Sequence, residues 1–291
     1  PRLKERVTQR YRDLEEAPAR RAEYEQAVDD WEKRKAEAEA EDEPFNERYP
    51  RRPRGPNHPH LASGLFNAMI HPLVPYGIAG VIWYQGESNV GRHDEYAVLF
   101  PAMIEDWRTR WNEGDFPFLF VQLANWDPDW DESKVQWAFL REAQSEALSL
   151  PQTGMAVTID IGDPDDIHPR NKRDVGKRLA RHARRIAYGE DIVADGPTFK
   201  MMVTDGDSVV LAFDHVGAGL VAPESDLTGF EVAGEDLVFH PADARIDGDT
   251  VVLSSPRVQR PLYVRYAWAN NPQASLYNRD GLPAPPFRVA P

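Results

Sequence analysis

Residues 118–123 read FLFVQL, and together with Ile78–Tyr84 (IAGVIWY) and Met155–Asp160 (MAVTID) they decide the fold. Each is a short apolar run without polar alternation, the pattern of a strand covered on both faces. Between the first two runs, Tyr96, Leu99, Met103, Trp107 and Trp111 recur at helical spacing over 94–111. Pro101 lies inside that stretch and must kink the helix or open its second half. Further helices are expected near 132–149 and at 171–187, where Val175, Leu179, Ala183 and Ile186 line one side. This alternation predicts an α/β fold, a three-layer arrangement with a parallel sheet between helices. Three strands make a small parallel sheet, so the sheet reads as incomplete in this chain.

Before this core, 26 of the first 50 residues are charged. Apolar positions at Leu3, Val7, Tyr11 and Leu14, and again at Tyr24, Val28 and Trp31, follow helical spacing. Pro18 separates the two stripes, which predicts an antiparallel helical hairpin, 2–16 and 19–42, filling a unit at 1–45 and largely solvated. Pro50, Pro53, Pro56 and Pro59 with Gly55 mark 46–61 as a Pro-rich linker. The α/β core then covers 62–196. From 197 to 291 the pattern changes to short strands with turn signals: Asp205-Gly206 before DSVVLAF, Asp247-Gly248 before DTVVLSS, then LYVRYAW. A small antiparallel β domain is expected there, with 257–288 returning across the core.

Composition excludes several function classes. The 291 residues carry 34 basic and 48 acidic side chains, a net charge of −14. Residues 201–250 hold eleven Asp/Glu against Arg245 alone. Such a surface argues against a nucleic-acid partner, because binding there comes from Lys and Arg neutralising phosphates. No apolar run approaches 18 residues, so no membrane span is expected. The absence of cysteine excludes disulfides, a thiolate nucleophile and Cys-ligated zinc. The chain opens at Pro1 in a charged stretch without Met or a signal-peptide pattern, and reads as starting inside a larger protein.

Ligands of parallel α/β sheets bind beyond the carboxyl ends of the strands. Three loops qualify: Gln85-Gly86-Glu87-Ser88-Asn89, Ala124-Asn125-Trp126, and the stretch Asp160 to Pro169. His168 leads as a candidate general base, which needs one ring nitrogen free and the other held by an acceptor. Asp165, three positions before it, or Glu87 from the first loop could hold it; the alternative is a histidine that only packs or caps. Asp160, Asp163, Asp165 and Asp166 miss the calcium-loop pattern, since the sixth position is Asp165 instead of Gly and the twelfth is Asn171 instead of Glu. No metal and no other cofactor is therefore expected. Gly86-Glu87-Ser88-Asn89-Val90 departs from the G-x-S-x-G elbow at Val90, which makes Ser88 a poor nucleophile. Trp126, Trp130, His58, His60, His71 and His93 read as packing or loop residues.

The segment 75–126 with WYQGESN, the stretch MAVTIDIGDPDDIHPRNKRDVGKRLA at 155–180, and VRYAWANNPQASLYNRDGLPAPPFR at 264–288 together resemble the sialate O-acetylesterase family of SGNH-type hydrolases. The resemblance runs from about residue 57 to the end. It implies a metal-independent serine esterase that removes acetyl groups from sugar hydroxyls, with an acetylated glycan or sialic acid as substrate. By the same resemblance His168 of the DIHP motif corresponds to the base. Gln85 and Gly86 correspond to an oxyanion or substrate-binding block, and the supporting acid is Glu87 or Asp165. The family's nucleophile sits in a G-Q-S-N motif that does not occur in these 291 residues. That motif is expected upstream, in a missing N-terminal half of the catalytic domain, and 1–45 resembles a helical insertion of some bacterial members. Two functions follow: part of a secreted or periplasmic carbohydrate O-acetylesterase, or a non-catalytic carbohydrate-binding or scaffold protein derived from one.

Overall fold

The computed structural model describes residues 2–53, 63–223 and 226–290, and the chain divides into two compact units, Pro1–Gly77 and Ile78–Pro291. His58 and His60 and much of the Pro-rich stretch lie outside the described residues, as do the side chains of Leu3, Val7 and Leu14. No helix among the described residues is long and apolar enough to cross a membrane.

In the first unit, α1 (Arg2–Glu15) and α2 (Ala17–Ala40) do not form the expected antiparallel hairpin. Glu16 alone joins them in right-handed helical conformation. The Glu16 amide donates to Arg12 O and the Arg20 amide to Glu16 O, so the first helix ends on the residue from which the second begins. Pro18 falls in the first turn of α2, where its missing N–H would be unpaired anyway. The reversing loop of a helical hairpin, about two to five residues, is therefore absent. What folds onto α2 is the extended segment after it. Trp31 meets Phe45 and Tyr49 edge-on at 5.2 and 5.0 Å, donates its indole N–H to Glu47 O, and Arg34 grips the Glu47 carboxylate.

The second unit begins with the parallel sheet that the three apolar runs predict. Its order is β1 (Val81–Trp83), β2 (Phe118–Val121), β3 (Thr153–Ala156), with Phe120 paired to Trp83 and Met155. The third strand starts and ends earlier than Met155–Asp160. Just past its end the Gln122 amide still donates to Ala156 O at 3.0 Å, and the Thr158 hydroxyl donates to Gln122 O at 2.6 Å. Helix α3 (His93–Trp111) keeps Pro101 within it and lays Phe100 against Phe118 and Phe120. Helix α4 (Gln136–Ser145) packs on α3, and its Ser145 reaches Met155. Helix α5 (Lys172–Ile186) lies on the other face, where His182 covers Gly154. That gives three layers.

The antiparallel region follows as two four-stranded sheets. One has β4 (Thr198–Asp205), β5 (Ser208–Asp214), β10 (Thr250–Ser254) and β9 (Asp243–Asp247) in spatial order. The other has β13 (Phe287–Val289), β11 (Tyr263–Tyr266), β7 (Phe230–Ala233) and β8 (His240–Pro241). Phe287 joins them, with its ring 5.2 Å from Phe199 and 6.4 Å from Phe230. A short pair, β6 (Leu220–Val221) with β12 (Tyr277–Asn278), completes the region.

The segments read as separate at 62–196 and 197–291 share one unit from Ile78 onward. The cause is the return segment. Arg141 of α4 donates to Ala269 O and Asn270 O, Arg288 pairs with Glu142, and Tyr277 donates to Asp160.

Candidate functional site

The turn after β1 is built tightly. Gly86 is buried, and a Cβ there would press on Gln144 Nε2 at 3.1 Å and on methyls of Leu123 and Leu140 at 3.2 Å, so a side chain at this position would push its neighbours aside by a few tenths of an ångström. The Gln85 carbonyl accepts from Tyr96 OH and Gln144 Nε2, each at 3.2 Å. Burial pushes the Tyr96 phenol up to about 12, so it stays a neutral donor. The Gln85 amide donates to Asn89 Oδ1 at 2.7 Å, while the half-buried Glu87 folds its carboxylate onto the Gly86 amide at 2.9 Å. Gln85, Gly86 and Glu87 thus share one turn, with one N–H of the Gln85 amide and the Gly86 N–H engaged within it.

The loops after β2 and β3 are bonded to each other. Asn125 Oδ1 accepts the Gly162 amide at 2.7 Å, and the Asp127 amide donates to Pro164 O at 3.0 Å. A Cβ on Gly162 would overlap the Asn125 backbone, so only glycine allows this approach. Asn125 Nδ2 also reaches Asn271 Oδ1 at 2.7 Å, which brings the return segment to the same rim.

At the root of the third loop, Asp160 receives two hydrogen bonds from Arg178 of α5, at 2.5 and 2.6 Å, and one from Tyr277 at 3.3 Å. Its oxygens are occupied in holding the loop. Farther along, the Asp165 amide bonds Asp163 and the His168 amide bonds Asp166, two local turns that lead to Asn171, the cap of α5. The His168 side chain is 88% exposed. Its Nδ1 lies 3.7 Å from Asp166 Oδ1, and among the described residues no other carboxylate stands within ion-pair distance of it. The structure therefore places His168 and Asp165 on one surface loop and Glu87 in the turn of another strand, and it brings neither acid into contact with the imidazole.

Behind these loops lies a polar layer that the sequence reading missed. Arg141 is fully buried and donates to four carbonyls, those of Leu123, Ala124, Ala269 and Asn270, with no carboxylate partner among the described residues. Desolvation lowers its guanidinium to about 9. Gln144, one turn on, takes the Leu123 amide and donates to Val121 O and Gln85 O. Asp131 accepts from Ser133, Gln136 and Asn270. A signal existed: Arg141 and Gln144 occupy the same helical face as Trp137 and Leu140, where an amphipathic pattern wants apolar residues.

Comparison with known proteins decides the family. A family model described as carbohydrate esterase, sialic acid-specific acetylesterase, matches residues 63–185. Sialate O-acetylesterase of Mus musculus is 34% identical over 257 residues, covering 79% of this chain and 47% of that protein. The Homo sapiens protein is 33% identical over 258 residues, covering 79% and 49%. The chain belongs to the sialate O-acetylesterase family. A crystal structure of a carbohydrate acetylesterase from Xanthomonas citri, 51% identical, superposes with a TM-score of 0.75 over 77% of this chain and 53% of that one. The chain thus spans about half the length of the family members it matches. The turn at Gln85–Asn89 and the His168 loop both fall inside the stretch that the family model covers.

Proposed function

We propose that this chain is the base-bearing part of a carbohydrate O-acetylesterase, with an acetylated glycan or sialic acid as substrate. One observation carries the reading: within a segment matched by the esterase family, the Gln85-Gly86-Glu87 turn and the His168 loop both leave carboxyl ends of one parallel sheet, where such folds bind ligands. The nucleophile is a serine supplied from outside residues 1–291. Two facts support that assignment. G-Q-S-N is absent from the sequence, and β1 has no strand on its outer edge among the described residues, while Ile82, which points to one face of the sheet, is 72% exposed. Parallel sheets ordinarily have both faces covered, and the Ile82 side chain is left uncovered here.

In this mechanism the serine oxygen attacks the acetyl carbonyl and its proton passes to His168. The tetrahedral oxyanion takes hydrogen bonds, one of them from the second N–H of the Gln85 amide. Collapse returns the proton to the leaving sugar oxygen and leaves an acetyl-serine. Water then attacks, giving its proton to His168, and acetate departs as the serine is regenerated. Either Glu87 or Asp165 orients His168, which requires the loops to move from the positions described above. In this reading the protein acts where acetylated glycans are met, in an extracellular or periplasmic location.

A second reading has an observation of its own. The exposure of His168 and its lack of contact with Glu87 or Asp165 suit a non-catalytic sugar-binding protein on the same fold. Acetate release from an O-acetylated sialoside by the natural gene product separates the two: His168→Ala abolishes it in an esterase, whereas a binding protein releases none before or after.

A further inference from the structure

Trp130 is 60% exposed, although tryptophan is among the largest apolar side chains and is ordinarily mostly covered. Its backing is rigid. The ring lies 6.4 Å from Trp126 and 6.1 Å from Trp137, and those two rings lie 4.8 Å apart. Trp137 is 2% exposed, so the triangle is anchored in the core. The next residue, Asp131, is buried and accepts from the Ser133 amide and hydroxyl, the Gln136 amide and Asn270 Nδ2. Asn270 in turn holds the Trp137 amide at 2.9 Å. The backbone beneath Trp130 is thus clamped while its ring faces solvent.

The position matters as much as the exposure. Trp130 lies on the loop leaving the carboxyl end of β2, and that loop is bonded to the His168 loop through Asp127 and Pro164. The half-buried Asn125 and the exposed Asn271, bonded to each other, lie on the same loop layer, since the Trp126 amide donates to Asn270 O. A fixed aromatic face beside amide donors and acceptors is the combination that recognises a ring apolar on one face and ringed by hydroxyls.

We infer that Trp130 is a stacking platform for the pyranose ring of the substrate, held by the Asp131–Asn270 clamp. The inference rests on the carbohydrate-esterase reading for its ligand class. Trp130 contacts the sugar and takes no part in acyl transfer, so its contribution is to ring binding and selectivity.

The test is calorimetric or saturation-transfer NMR binding to residues 1–291, with an O-acetylated methyl pyranoside against glycerol triacetate, an acetyl ester without a ring. The wild-type chain should prefer the pyranoside. Trp130→Ala should weaken pyranoside binding about tenfold or more with an unchanged circular dichroism spectrum, and Trp130→Phe should restore part of it. Equal pyranoside binding by wild type and Trp130→Ala, or no preference for the ring in wild type, would overturn the platform. Trp130-dependent ring binding without acetate release by the natural gene product would count against the esterase reading alone. Acetate release with ring binding indifferent to Trp130 would overturn the platform alone.

Discussion

Arg178 of α5 and Asp160 at the end of the parallel sheet form a two-pronged, largely buried ion pair, and the loop bearing His168 hangs from it. The same guanidinium also donates to Val157 O. Removing one partner strands the other in a site that excludes most water. We expect Arg178→Met to destabilise the fold by about 3 kcal/mol in urea titration, more than Asp160→Asn, which keeps a neutral acceptor. An Arg178→Met protein as stable as wild type would show that the pair does not hold the loop.

Asp131 gives a pH signature. Burial alone would push its carboxyl up, but the bonds from Ser133, Asn270 and Gln136 outweigh this and hold it below its ordinary value. A depressed native value means that the unfolded chain takes up the proton at higher pH than the folded one. The Asp131 contribution is therefore present above the ordinary carboxylate value of ~3.9 and is lost as pH falls through the lower native one. Asp131→Asn should cost stability at pH 7, with the gap to wild type closing below about pH 4. Melting temperatures of both proteins across pH 3–7 check this.

His182 adds a second acid-sensitive term at higher pH. It is buried against Gly154, and desolvation lowers its value more than Asp195 raises it. The unfolded histidine binds a proton near pH ~6.5 while the native one resists, so stability should fall as pH drops below about 6.5. In His182→Gln that component of the acid loss should vanish. An unchanged stability profile between pH 5 and 7 would contradict the assignment.

Gly162→Ala tests the bond between the second and third loops. Any Cβ there meets Asn125, so the two loops must part. A loss of about 1–3 kcal/mol is expected from overpacking, with exchange broadening of His168 ring signals in NMR. Unchanged His168 signals would show that the third loop does not depend on Asn125.

The parallel sheet was legible because its strands are continuous apolar runs, and α3 and α5 because Tyr96–Trp111 and Val175–Ile186 repeat at helical period. The helical hairpin was misread because a proline separating two stripes looks the same as a proline opening a helix; only the surrounding backbone, with Glu16 left helical, distinguishes them. At the site, the Gln85–Asn89 turn was readable as a polar, glycine-containing stretch directly after an apolar strand, although Tyr96 and Gln144, which hold its Gln85 carbonyl, come from elsewhere in the chain. The clamp of Asp131 and Arg141 on residues 269–270 was not, because those partners stand more than a hundred residues apart and no local pattern records them. The same applies to His168. The sequence offers Glu87 and Asp165 as partners, while the folded loop sets Asp166 nearest.

The central claim is that His168 is the base of a carbohydrate O-acetylesterase whose serine lies outside residues 1–291. The most direct measurement is acetate release from an O-acetylated sialoside by the natural gene product, expressed from its own start codon, as wild type and as His168→Ala. The account predicts turnover by wild type, a loss of about 10³-fold or more in His168→Ala with an unchanged melting temperature, and none from residues 1–291 alone. Near-full activity in a folded His168→Ala protein, or turnover by residues 1–291 alone, would contradict it.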